Sequence, residues 1–154
     1  MPATETSRDR GLDDAIAQVE RGFTELFRHV KSTLKDRAAR VHPQLQPFGY
    51  HVLGAVVRHG PLHATRLAEM FSTDKSAISR TVSQLETMGL VSRETDPNDK
   101  RAAFVVATDE GRRRVDAVVA SDREVLYERL RGWPREDIDR LGDLLSRLTE
   151  TLTD

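Results

Sequence analysis

Lys75, Ser76, Ser79 and Arg80 sit close together in the chain. On a helix they would gather two cations and two small hydroxyls on one side. Such a set suits anionic oxygens: Lys and Arg pair with phosphate or with the O6/N7 edge of guanine. Ser donates to phosphate and is small enough for close approach. A second set, Asp99, Lys100 and Arg101, follows the turn-forming run Asp96-Pro97-Asn98-Asp99. A guanidinium there fits a narrow, electronegative groove. Asp99, two residues earlier and on the same side of extended backbone, is placed for a carboxylate–guanidinium pair with Arg101. Taken singly, each residue is equally at home on a solvated surface, and the second set on a hairpin tip with an incidental ion pair. The surrounding elements decide.

Those elements occupy residues 65–108. Ala64, Leu67, Ala68 and Phe71 form the inward face of a short helix, and Met70-Phe71-Ser72-Thr73 forms a turn. Thr73 or Asp74 caps a second helix. Its residues Ile78, Val82 and Leu85 point inward, which turns Lys75, Ser76, Ser79 and Arg80 outward. Gly89 closes it as a left-handed cap. Two strands follow, 90–95 and 102–107. Helix, turn, helix and hairpin in this order read as a winged helix-turn-helix. The second helix would enter a DNA major groove by its N-terminal half. The hairpin would be the wing, with Arg101 at its tip in a minor groove.

The flanks are helical. A first helix over about 12–40 carries an apolar seam of Leu12, Ile16, Val19, Phe23, Leu26 and Val30, with Leu34 one turn beyond. Pro43 and Pro47 separate it from a helix over about 47–59, which Gly60-Pro61 stops. After the hairpin, Thr108 is an N-cap with Asp109 and Glu110 in the first turn, where the helix dipole favours negative charge. Gly132-Trp133-Pro134 then separates two more helices. The last repeats Ile138, Leu141, Leu145, Leu148 and Leu152 at helical spacing. These seams pack either on the middle of the same chain or on a second copy. The homodimer is the more economical solution, with Leu12, Ile16, Val19, Ile138, Leu141, Leu145, Leu148 and Leu152 at the interface. The expected fold class is mainly α with a small β-hairpin wing. It divides into a disordered tail (1–11), an N-terminal dimerisation helix (12–42), the winged helix-turn-helix (43–108) and C-terminal dimerisation helices (109–154).

Composition narrows the function. A chain of 154 residues can bury a real core. Cysteine is absent, which excludes disulfides, thiolate metal sites and thiol catalysis. No apolar run approaches bilayer length, and MPATETSRDRG lacks the apolar centre of a signal peptide, so a cytoplasmic protein is expected. No nucleophile elbow, zincin motif or phosphate loop is present, so neither an enzyme nor a cofactor is expected. His59 and His63 are split by a Gly-Pro break, and His29, His42 and His51 have no local carboxylate partner; no metal site is expected. The net charge of −1 gives no general pull towards DNA. Any such pull must come from where the cations sit.

Leu85-Glu86-Thr87-Met88-Gly89-Leu90-Val91, then Arg93 and Asp96, the wing pattern Asp99-x-Arg101 and Thr108-x-x-Gly111 together resemble the MarR family of bacterial transcriptional regulators. The likeness extends to the long terminal helices and so over nearly the whole chain after Leu12. One departure is Ala107, where the family usually has leucine. The resemblance implies a sequence-specific homodimer on a pseudo-palindromic operator, usually a repressor, often of nearby genes. A small aromatic or phenolic ligand commonly weakens binding. It gives Lys75, Ser76, Ser79 and Arg80 the groove role and Asp99 and Arg101 the wing role; Lys100 between them is a further DNA-binding candidate. It also implies a ligand cleft, for which Phe23, Phe27, Val30, Phe48, His51 and Val52 are candidates; each also fits a core position. The rival is a winged-helix protein-interaction module that does not bind DNA, which the near-neutral charge favours.

Overall fold

A computed structural model describes the backbone of residues 5–153 and the side chains of 11–152. The elements run α1 (Glu5–Val41), α2 (Pro47–His59), β1 (Leu62–His63), α3 (Ala64–Met70), α4 (Lys75–Thr87), β2 (Val91–Asp96), β3 (Asp99–Ala107), α5 (Asp109–Arg131) and α6 (Arg135–Thr153). The expected class is met: helices dominate and the wing is the only hairpin among the described residues. Helix α1 begins at Glu5, within the segment expected to fray. No proline interrupts that run, and its acidic residues suit a helix N-terminus. Residues 1–4 of the expected tail lie outside the described residues. No described helix is long and apolar enough to cross a membrane.

The chain forms two compact units, residues up to Arg112 and residues from Arg113. In the first, α2 is the central element. Its Val52, Leu53, Ala55 and Val56 are all essentially solvent-free. Leu67 of α3, Ile78, Val82 and Leu85 of α4, and Leu90, Val91 and Val105 complete the same core. Pro47 opens α2 at a position that needs no N–H, and Gly60 closes it at φ 79°.

The sheet has three strands in the order β1-β3-β2, all antiparallel. Strand β1, only Leu62 and His63, pairs with Val105 and Phe104 and was not expected from the sequence. Two residues are too few to show the period-two pattern that marks a strand.

Where β3 meets α5 the backbone is tightly jointed. Thr108 Oγ1 donates to Gly89 O at 2.7 Å and accepts from Gly111 N at 3.0 Å, and Thr108 N donates to Leu90 O at 3.1 Å. Thr108 thus caps α5 while tying it to the end of α4.

In the second unit, Trp133 N donates to Leu130 O at 2.9 Å, closing α5, and Pro134 opens the turn into α6. Leu141, Leu144, Leu145 and Leu152 of α6 are exposed, and Ile138 and Leu148 only partly covered.

Candidate nucleic-acid interface

Helix α4 is held in place from inside. Ile78, Val82 and Leu85 are fully buried, and Thr81 returns its hydroxyl to Ala77 O at 3.0 Å. Asp74, not Thr73, is the cap: its Oδ1 accepts from Ala77 N at 2.8 Å. The turn before it puts Ser72 at φ 48°, a left-handed conformation that a short polar residue tolerates better than a bulky one. With the inner face fixed, Lys75, Ser76, Ser79 and Arg80 are all exposed on the outer face, as expected. Lys75 sits in the first turn, where the helix dipole is already positive and where α4 carries no acidic residue. A cation there is locally unfavourable for the helix. It adds positive potential where backbone N–H groups already point outward.

The wing differs from expectation in two respects. Its turn is Pro97-Asn98, clamped by Asp96 Oδ1 accepting from Asn98 N at 2.8 Å. Strand pairing then jumps: Thr95 faces Ala103 while Asp96 faces Asp99. Lys100, Arg101 and Ala102 therefore form a bulge in β3, and Arg101 projects from this bulge and not from the tip. Bulges redirect side chains in this way. Asp99 does not pair with the Arg101 guanidinium. Its Oδ1 accepts from the main-chain N of Arg101 at 2.9 Å, so it shapes the bulge and leaves the guanidinium available.

Between α3, α4 and the wing runs a groove of about 770 Å³. Lys75, Ser79, Arg93 and Arg101 line it, together with Arg66, Asp96 and Asp99. Its cations are of two kinds. Arg93 is engaged: Nη1 lies 2.7 Å from Glu86 Oε2 and Nη2 donates to Ser83 Oγ at 3.2 Å. These bonds tie β2 to α4, a structural role the sequence reading did not assign to Arg93. Arg66 pairs with Glu69 at 3.3 Å. By contrast, the side chains of Lys75, Arg80, Lys100 and Arg101 have no ion pair or hydrogen bond to any other described residue. A nearly neutral chain thus keeps a set of uncommitted cations on the outer face of α4 and the wing bulge.

The six candidates for a ligand cleft do not form one site in this chain. Phe23 and Phe27 stack on each other along α1 at 6.0 Å between centroids. Phe27 and Val30 are exposed, and Val52 is fully buried core. Phe48 and His51 both meet Phe71, at 5.7 and 6.5 Å, in a partly exposed aromatic cluster. Phe71, read from sequence as a core residue of the first helix, is a member of that cluster. Among the described residues no group of three or more potential ligands is placed to hold a metal ion.

Residues 49–102, which hold the helix-turn-helix and most of the wing, match the model of the MarR family. An uncharacterised helix-turn-helix transcriptional regulator of Bacillus subtilis, YxaD, is 28% identical over 139 residues, covering 90% of this chain and 96% of the relative. The Bacillus subtilis transcriptional repressor MdtR is 20% identical, covering 92% of this chain and 90% of its own. The fold is also that of Streptococcus pneumoniae FabT, solved in complex with DNA: TM-score 0.76, 15% identity, 90% of this chain and 98% of that one. Residues 49–102 thus carry the helix-turn-helix and most of the wing of the MarR family, and the relatives that match over nearly the whole chain are helix-turn-helix transcriptional regulators.

Proposed function

We propose that the chain is a sequence-specific DNA-binding repressor that grips a pseudo-palindromic operator as a homodimer. The observation that carries this reading is the set of four uncommitted cations on the outer face of α4 and the wing bulge, Lys75, Arg80, Lys100 and Arg101, of which Lys75 and Arg101 line the groove between α3, α4 and the wing. Lys75 and Arg80, with Ser76 and Ser79, meet base edges and phosphates of the major groove. Arg101, aimed by the bulge, meets the minor groove. The repressor role follows the printed name of MdtR, and the DNA contact follows the FabT complex.

The dimer is supported by apolar faces that a single chain leaves open. Leu12, Ile16 and Val19 of α1 are each more than half exposed, and Leu141, Leu145 and Leu152 of α6 are exposed as well. Two copies joined there would present two recognition helices one DNA turn apart, about 34 Å. A small aromatic ligand acting as inducer has its best support in the partly exposed Phe48, His51 and Phe71 cluster.

A gel shift on the DNA flanking this protein's own coding region tests the reading. Retention is expected for the wild type and strong weakening for Arg80→Glu. Titrating salicylate or a simple phenol into the same assay tests the inducer. Retention of no fragment, or an Arg80→Glu profile equal to wild type, would favour a winged module that binds protein.

A further inference from the structure

One face of α5 is built as its own complement. Asp116, Ala120, Arg123, Glu124, Tyr127 and Arg131 line a shallow, open hollow to which no other helix contributes. Spacings of three and four residues keep them in one strip along the helix. At 1.5 Å per residue the strip runs about 22 Å from Asp116 to Arg131. Val118, on the opposite side of α5, is buried, whereas Val119 and Tyr127 on the strip are about half exposed.

Two of its side chains are held in place. The Arg123 guanidinium lies over the Tyr127 ring, 5.1 Å from the centroid, and Nη2 donates to the Tyr127 hydroxyl at 3.1 Å. That contact uses one of five guanidinium N–H groups and leaves the others for a further acceptor. Asp116, Glu124 and Arg131 make no hydrogen bond or ion pair with any described residue.

The order of these residues singles out the partner. Two carboxylates and two guanidiniums leave the strip neutral, so it draws neither an anionic nor a cationic surface. The midpoint between Asp116 and Arg131 falls between Arg123 and Glu124. The midpoint between Ala120 and Tyr127 falls at the same place. An antiparallel copy laid over that point brings Asp116 to Arg131 of the partner subunit and Arg123 to the partner's Glu124. It also brings the Tyr127 ring to the partner's Ala120, whose small side chain leaves room for it. A twofold axis makes each of these contacts twice. A parallel copy would instead set each charge against its like.

We infer that this face of α5 is a self-recognition surface, pairing antiparallel with the same face of a second copy about an axis at Arg123 and Glu124. The inference rests on the homodimer reading and adds a further helix, with a register, to it. A strip of about 22 by 10 Å covers only part of the roughly 800 Å² per partner that a stable interface buries. The exposed leucines of α6 add apolar area. Charge order sets the register, and apolar area supplies most of the affinity.

The test is a charge exchange in the full chain, read as the dimer dissociation constant by analytical ultracentrifugation. Asp116→Arg and Arg131→Asp are each expected to raise it about tenfold, because each sets like charges at two symmetric contacts. The double variant Asp116→Arg/Arg131→Asp restores opposite charges in reversed order and is expected within about threefold of wild type. A second readout uses the absence of cysteine from the chain. The lone thiol of Arg123→Cys, at the axis, is expected to form an interchain disulfide on mild air oxidation. That of Arg129→Cys, on the opposite side of α5, is expected to stay reduced. Single variants as tight as wild type, a double variant as weak as the single ones, or an Arg123→Cys chain that stays reduced would overturn the inference and leave the homodimer reading standing. A wild type that is monomeric at every concentration would overturn the homodimer reading and this inference with it.

Discussion

Gly111→Ala is expected to destabilise the protein, although alanine is the better helix former. Gly111 lies in the first turn of α5, where it faces the buried backbone at Leu90. A Cβ built there stands 2.1 Å from Leu90 O, 2.9 Å from Leu90 C and 3.1 Å from Leu90 Cα. Ordinary carbon–oxygen contacts are about 3.3 Å or longer, so the backbones must part by about 1 Å. No flexible side chain can yield instead. Parting them stretches the Thr108 N to Leu90 O bond and the Thr108 Oγ1 to Gly89 O bond. Overpacking of this kind costs about 1–3 kcal/mol, and each weakened hydrogen bond about 1 kcal/mol. Helix propensity returns about 1 kcal/mol. The net loss is about 2–4 kcal/mol, or roughly 4–16 °C in Tm for a chain of this size. Gly142→Ala is the control: nothing lies within 4 Å of its Cβ position in α6, so the same exchange should stabilise by about 0.5–1 kcal/mol. Thermal and urea unfolding followed by circular dichroism, at one protein concentration, measures both. Gly111→Ala as stable as wild type would refute the argument that the joint between Leu90 and Gly111 admits no side chain.

Arg101→Ala should weaken operator binding about tenfold or more while leaving Tm unchanged, because the guanidinium has no partner among the described residues and the bulge is held through the main-chain N–H; binding anisotropy with an unfolding curve checks both halves. Asp74→Ala should cost about 1 kcal/mol in urea unfolding by removing the α4 cap, and Asp74→Asn much less. Replacing Leu141 and Leu148 together with glutamine should convert the dimer to monomer in light scattering and abolish operator binding; a persisting dimer would show that α6 does not form the interface.

The parts of this fold that were legible in the sequence are those governed by local rules. The inward face of α4 follows from helical spacing at Ile78, Val82 and Leu85, and fixing that face fixed the exposure of Lys75, Ser76, Ser79 and Arg80. Gly89 at φ 72° and Thr108 as a cap follow from the same chemistry. The wing was only half legible. Asp96 through Asp99 marked a turn, but the bulge that moves Arg101 away from the tip depends on cross-strand register, which spacing does not show. The Asp99 contact was placed on the wrong atom for a related reason. A carboxylate two residues before a backbone N–H in a bend can close a local ring onto the main chain, and in this bulge it does. The least legible feature was the His63–Asp96 pair, whose partners are far apart in sequence and meet only because β1 and β2 flank β3.

The central claim is that a nearly neutral chain binds DNA through a few well-placed free cations, and the salt dependence of its operator affinity tests this most directly. Four such cations in each copy of a dimer set the steepest slope of log affinity against log salt at about −7, were each to neutralise a phosphate, and a loss of up to roughly ten-thousandfold between 50 and 200 mM salt. Those that read base edges or the minor groove make it shallower, and a clearly negative slope is predicted. An affinity that stays flat across that range would contradict the account.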